Sequence, residues 1–247
     1  MKKKILIYLL ISISALLLVF SGAFLIWAGN PMEVMPEAHV ALQGSTSVSV
    51  EQEDWLVFHP SDMNGTGLIL YPGARVGVES YAPQALEIAS QGYLVVIVPM
   101  PLNMAVFDIN AADAVLRAFP EVKHWAIGGH SLGGAMAAQY MAAHAGEIEG
   151  LVLWASFPAS SNDLSKLPIH VTSISASLDA FSTPDKIEAS RPILPADTTW
   201  VVIEGGNHSQ FGWYGLQPGD NPAVISREEQ TQQIADATIA LLASLGK

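Results

Sequence analysis

The chain contains no cysteine, which excludes disulfides, thiolate metal sites and a lipid-modified lipoprotein head. Basic residues are scarce. Three of the 11 lysines and arginines stand in the head Met1-Lys2-Lys3-Lys4, leaving eight against 23 acids, all after position 32, for a net of −15 in the body. So acidic a body repels nucleic acid and anionic lipid surfaces, and neither is an expected partner. No Gly-x-Gly-x-x-Gly follows a strand-like run, and neither a phosphate loop nor a His-Glu-x-x-His is present. No cofactor and no metal is required by any motif.

Charge of either sign is also missing from residues 5–28, an apolar run of 24 residues that would measure roughly 36 Å as a helix. That is enough to cross a bilayer core with some tilt. A cleavable signal has a shorter apolar region and a small-x-small exit, whereas this run leaves through Leu25-Ile26-Trp27-Ala28-Gly29-Asn30. Length, exit and an interfacial Trp27 favour an uncleaved signal anchor over 1–28, with a cleaved signal and a secreted body as the alternative. Three lysines ahead of the run predict a cytoplasmic N-terminus and an extracytoplasmic body. Residues 29–44 mix proline, glycine and acids without periodicity and read as a linker, which leaves 45–247 as one domain.

The stretch Gly129-His130-Ser131-Leu132-Gly133 carries the chemistry. An apolar run, Trp125-Ala126-Ile127, enters it, and the small-residue helical run from Gly134 to Ala143 leaves it. A serine on a sharp strand-to-helix turn has a strained backbone and an exposed hydroxyl, and glycines two residues to either side remove side chains that would collide. Around it, strands and helices alternate. Strands are predicted at 45–50 and 55–59 (an antiparallel pair), 67–71, 93–98, 124–127, 150–155, 169–175 and 199–203. Helices are predicted at 81–90, 108–118, 183–190 and 226–245. Apolar strands bounded by proline or glycine, each followed by a helix, predict an α/β fold: a mostly parallel twisted sheet covered on both faces.

This order, with a serine turn after the third parallel strand, resembles the α/β-hydrolase superfamily over about residues 50–245. It is most similar to the compact, capless, dienelactone-hydrolase-like branch. The block Gly205-Gly206-Asn207-His208-Ser209-Gln210-Phe211-Gly212-Trp213-Tyr214-Gly215 resembles that of bacterial membrane-anchored members. The resemblance implies an α/β-hydrolase fold and a reaction type more firmly than a substrate.

A serine hydroxyl needs a base to remove its proton. Of the seven histidines, His208 follows the last predicted strand in a glycine-bounded loop, which puts it at the carboxyl edge beside Ser131. His59, His124, His144 and His170 fall in or beside strands and helices, His39 in the linker, and His130 matches a residue that the family carries as packing. The base needs an acid to hold its tautomer. Asp179, after the strand ending at Ser175, completes the order Ser, Asp, His. Asp185 and Glu204 are the runners-up, although Asp185 also suits a helix N-terminus for structural reasons. For the oxyanion, one donor is expected from the Leu132 amide and the second from Ala74, in the loop Pro72-Gly73-Ala74-Arg75-Val76. This loop departs from the His-Gly-Gly-Gly form of many lipases. Arg75 reads either as a ligand-carboxylate contact or as half of a surface ion pair.

Only 13 residues, 156–168, separate two predicted strands where larger members insert a cap, so the site should be open. Walls are expected from the aromatics at 211–214 and from 218–222, with core packing of the aromatics as the competing reading. Taken together, the sequence points to a serine hydrolase cleaving small-molecule carboxylic esters, tied to the membrane by its N-terminal helix. Amides and thioesters use the same parts, and so does acyl transfer to an alcohol. A non-catalytic binding protein that keeps the fold is the alternative of another class.

Overall fold

The computed structural model describes residues 2–144 and 146–247. Its elements, in chain order, are α1 (Lys2–Ala28), α2 (Pro36–Ala41), β1 (Val48–Gln52), β2 (Leu56–Pro60), β3 (Thr66–Tyr71), α3 (Ala82–Ser90), β4 (Leu94–Ile97) and α4 (Ala112–Ala118). There follow β5 (His124–His130), α5 (Leu132–Ala143), β6 (Gly150–Trp154), β7 (His170–Ala176), α6 (Pro184–Ala189), β8 (Thr199–Ile203) and α7 (Arg227–Leu242). The strands form one eight-stranded sheet in the order β1-β2-β4-β3-β5-β6-β7-β8. β1 and β2 are antiparallel, as is β2 with β4, and every other pairing is parallel.

The sheet is buried on both faces because its central strands carry apolar residues at successive positions, not at alternate ones. In β3, Leu68 and Leu70 join the core under α3 and α7, whereas Ile69 and Tyr71 point into the other core under α4 and α5. β4 divides the same way, Val95 and Ile97 against Leu94 and Val96. Each such fully buried aliphatic contributes about 1.5–3 kcal/mol. α7 starts at a serine N-cap: Ser226 Oγ accepts from the Glu229 amide at 3.0 Å, with Glu228 and Glu229 in the first turn.

Three expectations need correcting. Residues 29–44 are not a free linker: α2 buries Ala38 and Ala41 against α3, and the Met35 amide donates to Trp213 O at 2.9 Å. Six residues are too short for a helical period to show in the sequence. The helix expected from 108 begins at Ala112, because short three-ten turns at Pro101–Asn103 and Ala105–Phe107 precede it. The elbow strand runs three residues beyond its expected end at 127, since β6 pairs with it as far as His130↔Trp154.

Candidate active site

β5 delivers Ser131 to the carboxyl edge, where the backbone turns from strand to helix in a single residue. Ser131 has φ 53° and ψ −120°, a left-handed conformation that costs a residue with a Cβ on the order of 1–3 kcal/mol. The turn persists because its backbone is tied on both sides. The Ser131 amide donates to Trp154 O at 2.9 Å, and its carbonyl accepts from Ser156 Oγ at 2.7 Å. Close approach explains the flanking glycines. A Cβ on Gly129 would lie 2.5 Å from the Gly133 carbonyl carbon, and one on Gly133 would lie 2.1 Å from Tyr71 O. The helix therefore starts in contact with the end of β3.

The structure brings His208 and Asp179 together. His208 Nδ1 lies 2.8 Å from Asp179 Oδ2, with both side chains almost fully buried (1% and 0% exposed). A carboxylate only accepts, so the proton sits on Nδ1 and Nε2 keeps its lone pair. The other carboxylate oxygen, Oδ1, accepts from the amides of Phe181 and Ser182, each at 2.7 Å. These two bonds fix the acid's rotamer independently of the histidine. The Phe181 ring packs edge-on against His208 at 5.1 Å, and the His130 ring, next in chain to Ser131, lies 4.6 Å from the His208 ring. Among the described residues the Ser131 hydroxyl makes no hydrogen bond; what relates it to the histidine is His130, whose ring packs on His208, and Phe181, which touches His208 and lines the cleft of Ser131.

Ser131 lines an open cleft of about 300 Å³ with Leu132, Ala135, Ser156, Phe157, Phe181 and Ser182. Among the described residues the amides of Leu132 and Ala74 have no acceptor within the protein, whereas those on either side of Ala74 are engaged. The Gly73 amide donates to Tyr81 Oη at 2.8 Å and the Arg75 amide to Asn103 O at 2.8 Å. Tyr81 Oη in turn lies 2.9 Å from His130 Nδ1. Among the described residues Nδ1 is the acceptor within reach of the Tyr81 hydroxyl proton, and with that bond made His130 is neutral with its proton on Nε2. Burial, reinforced by the neighbouring His208, pushes the His130 pKa well below 6.5, in keeping with that form. Burial likewise pushes the Tyr81 phenol up, against the Gly73 bond that lowers it.

The runner-up acids lie elsewhere. Asp185 is exposed in the first turn of α6, and Glu204 is exposed at the end of β8. The other histidines have structural partners or none: His59 pairs with Glu51 at 3.3 Å, His124 with Glu149 at 2.8 Å, and His144 stacks on Tyr140 at 4.0 Å. Arg75 is neither an ion pair nor a cleft residue. Its Nη2 donates to Asn30 O at 2.7 Å, and its guanidinium lies 4.6 Å over the Trp27 ring.

The expected walls are also corrected. Phe211, Trp213 and Tyr214 are buried; Phe211 stacks on His130 at 5.8 Å, and Trp213 Nε1 donates to Thr231 Oγ1 at 3.0 Å. These aromatics pack under α7, and Phe157 and Phe181 form the walls instead. Residues 218–222 act as a brace. Asp220 Oδ2 accepts from the Ser209 amide at 2.8 Å and from Ser209 Oγ at 2.6 Å, while Oδ1 accepts from the Ala180 amide at 3.2 Å. One carboxylate thus ties the loop carrying His208 to the loop carrying Asp179. Sequence reasoning missed Asp220 as a brace, along with Phe157, Phe181 and Gln230. Buried Gln230 accepts from the Asn207 amide at 3.1 Å and donates to its carbonyl at 2.8 Å. The one available signal for Asp220 was an acid in a Pro-Gly-Asp-Asn-Pro turn shortly after His208.

None of the curated proteins matches the chain in sequence. Solved structures share its fold at low identity. A predicted CIB-like hydrolase from Thermoplasma acidophilum is 15% identical with a TM-score of 0.57, over 78% of this chain and 100% of that one. A putative dienelactone hydrolase from Klebsiella pneumoniae is 18% identical with a TM-score of 0.57, over 81% and 98%. A thermophilic esterase from Thermogutta terrifontis is 16% identical with a TM-score of 0.54, over 83% and 96%. The model of the alpha/beta hydrolase family matches residues 67–232, two thirds of the sequence and all but the first residue of the parallel strands, so this chain belongs to that family.

Proposed function

We propose that the protein is a serine hydrolase that cleaves carboxylic esters through an acyl-enzyme. One observation carries the reading: the residue before a serine held in a left-handed turn packs on a histidine bonded to a buried aspartate, and the amides of Leu132 and Ala74 are unengaged among the described residues. Ser131 Oγ attacks the acyl carbon as its proton passes to His208 Nε2, and the Ser131–His208 bond closes as substrate seats. Asp179 holds the ring's tautomer and stabilises the imidazolium. The oxyanion meets the Leu132 and Ala74 amides. Collapse expels the alcohol, which takes the proton from His208 and leaves an ester on Ser131. Water then adds to that ester, its proton moving to His208. The acid departs as the proton returns to Ser131.

The helix α1 fits a membrane anchor or a signal sequence, its apolar part being Ile7–Ala28. We read it as an uncleaved anchor with the body extracytoplasmic, supported by the lysine head and by the contacts that Ala28 in its last turn and Asn30 just beyond it make with the body.

The test is hydrolysis of p-nitrophenyl esters of graded chain length by the full chain in detergent. Ser131→Ala and His208→Ala should each lower kcat/KM by about 10⁴-fold or more. Equal activity in wild type and Ser131→Ala would contradict the reading.

A further inference from the structure

The apolar helix does not end clear of the body. The Ala28 carbonyl accepts from Asn103 Nδ2 at 3.0 Å, and the Met32 amide donates to Arg75 O at 2.8 Å. Met32 and Val76 also form a parallel bridge. One turn earlier, the Phe24 ring meets the Phe107 ring edge-on at 6.3 Å. These contacts are made by the loops after β3 and β4, and Arg75 directly follows Ala74.

Such contacts fix a depth. Phe24 lies inside the apolar span Ile7–Ala28, four residues or about 6 Å along the axis from its end. A ring packed on Phe24 is therefore level with the last turn of the span. When that span crosses a bilayer, Phe107 lies in the interface and not in bulk water. The loop suits that position. Val106 and Phe107 are 43% and 50% exposed, and no charged residue occurs from Tyr93 to Phe107. Outside α1, six large apolar side chains are exposed among the described residues. Four of the six (Val106, Phe107, Leu216 and Val224) come from the loops after β4 and β8, at the edge of the sheet that carries Ser131. The acidic body offers no charge attraction to a membrane, so apolar insertion beside the anchor is the contact that the surface provides.

We infer that the carboxyl edge rests on the bilayer with residues 99–107 in the interface, and that the site takes its ester from the membrane. The substrate class is an amphiphile whose apolar part stays among the lipids while its ester reaches Ser131 between Leu132, Phe157 and Phe181. The inference rests on the anchor and serine-hydrolase readings above.

The absence of cysteine allows a clean test. Leu17→Cys, Phe107→Cys and Glu121→Cys are each labelled with bimane in the full chain and reconstituted into phosphatidylcholine vesicles carrying nitroxide-labelled lipid. Leu17 lies mid-span, and Glu121 is exposed at the opposite edge of the sheet. Quenching at 17 and 107 but not at 121 is the expected result. Quenching at 17 alone overturns the inference and leaves the anchor standing; quenching at none overturns both. A second arm compares a long-chain ester in the vesicles with a short soluble ester. Val106→Ser with Phe107→Ser should lower the ratio of the two rates by roughly tenfold. An unchanged ratio overturns the inference, whereas a wild type that cleaves neither ester overturns the serine-hydrolase reading instead.

Discussion

On one side of Ser131, the loops after β7 and β8 are tied by carboxylates. Asp179 accepts from two amides and His208, and Asp220 accepts from Ser209 and Ala180. On the other side, among the described residues, no carboxylate of the loops after β3 and β4 ties them in this way. Three non-glycine residues there, Arg75, Leu102 and Asn103, have φ of 59°, 52° and 53°, and the chain arriving from α1 bonds to two of them. A left-handed residue with a Cβ costs about 1–2 kcal/mol, so this half is strained and is held by neighbours distant in sequence. The half carrying Asp179 and His208 is built within the body. The half carrying Ala74 is bonded to the chain that leaves α1, and Tyr81 links it to the serine turn through His130.

The largest expected effect breaks the first half at its centre. Asp179→Asn keeps the oxygen that accepts from Phe181 and Ser182 but turns an amide toward His208, which favours the wrong tautomer. The kcat/KM for a soluble ester should fall by about 10⁴-fold while the melting temperature changes little. Next, Asp220→Ala should leave the Ser209 and Ala180 amides without their acceptor. Urea unfolding should show a loss of about 2–3 kcal/mol. Tyr81→Phe tests the other half. It leaves the Gly73 amide unpaired, with an expected loss of about 1–2 kcal/mol and a drop in kcat larger than any rise in KM.

The smallest effect is one of pH. The folded-state pKa of His130 lies below its unfolded value of about 6.5, so the folded chain binds fewer protons than the unfolded chain in the interval between them. The stability that neutral His130 provides is complete above that value and is lost as pH falls toward the folded one. Between pH 7.5 and 5.5 the wild type should lose about 1 kcal/mol more than His130→Asn, measured by thermal unfolding at both pH values. Equal losses would mean that His130 is protonated as readily in the folded chain as in the unfolded one.

The same contrast explains what the sequence made legible. The turn at Ser131 and the pairing of Asp179 with His208 were legible because turn geometry, chain order and position after a strand are local properties. The parallel sheet was readable for a similar reason, each apolar run being bounded by proline or glycine. Phe157, Phe181 and Asp220 were not readable, because their roles depend on which loops meet across the edge. The buried aromatics at 211–214 were open to two readings, since glycines between them suit either a wall or a packed turn. Arg75 defied both of its readings. Its partners are a carbonyl and an indole in the stem, and no local pattern marks a contact across 45 residues.

The central claim, an activated serine at position 131, is tested most directly by fluorophosphonate labelling of the full chain. The label should attach to wild type at Ser131, located by peptide mass. It should be absent from Ser131→Ala and slowed by at least about 100-fold in His208→Ala. A folded wild type that takes up no label, or a Ser131→Ala variant that takes it up at the wild-type rate, would contradict the account.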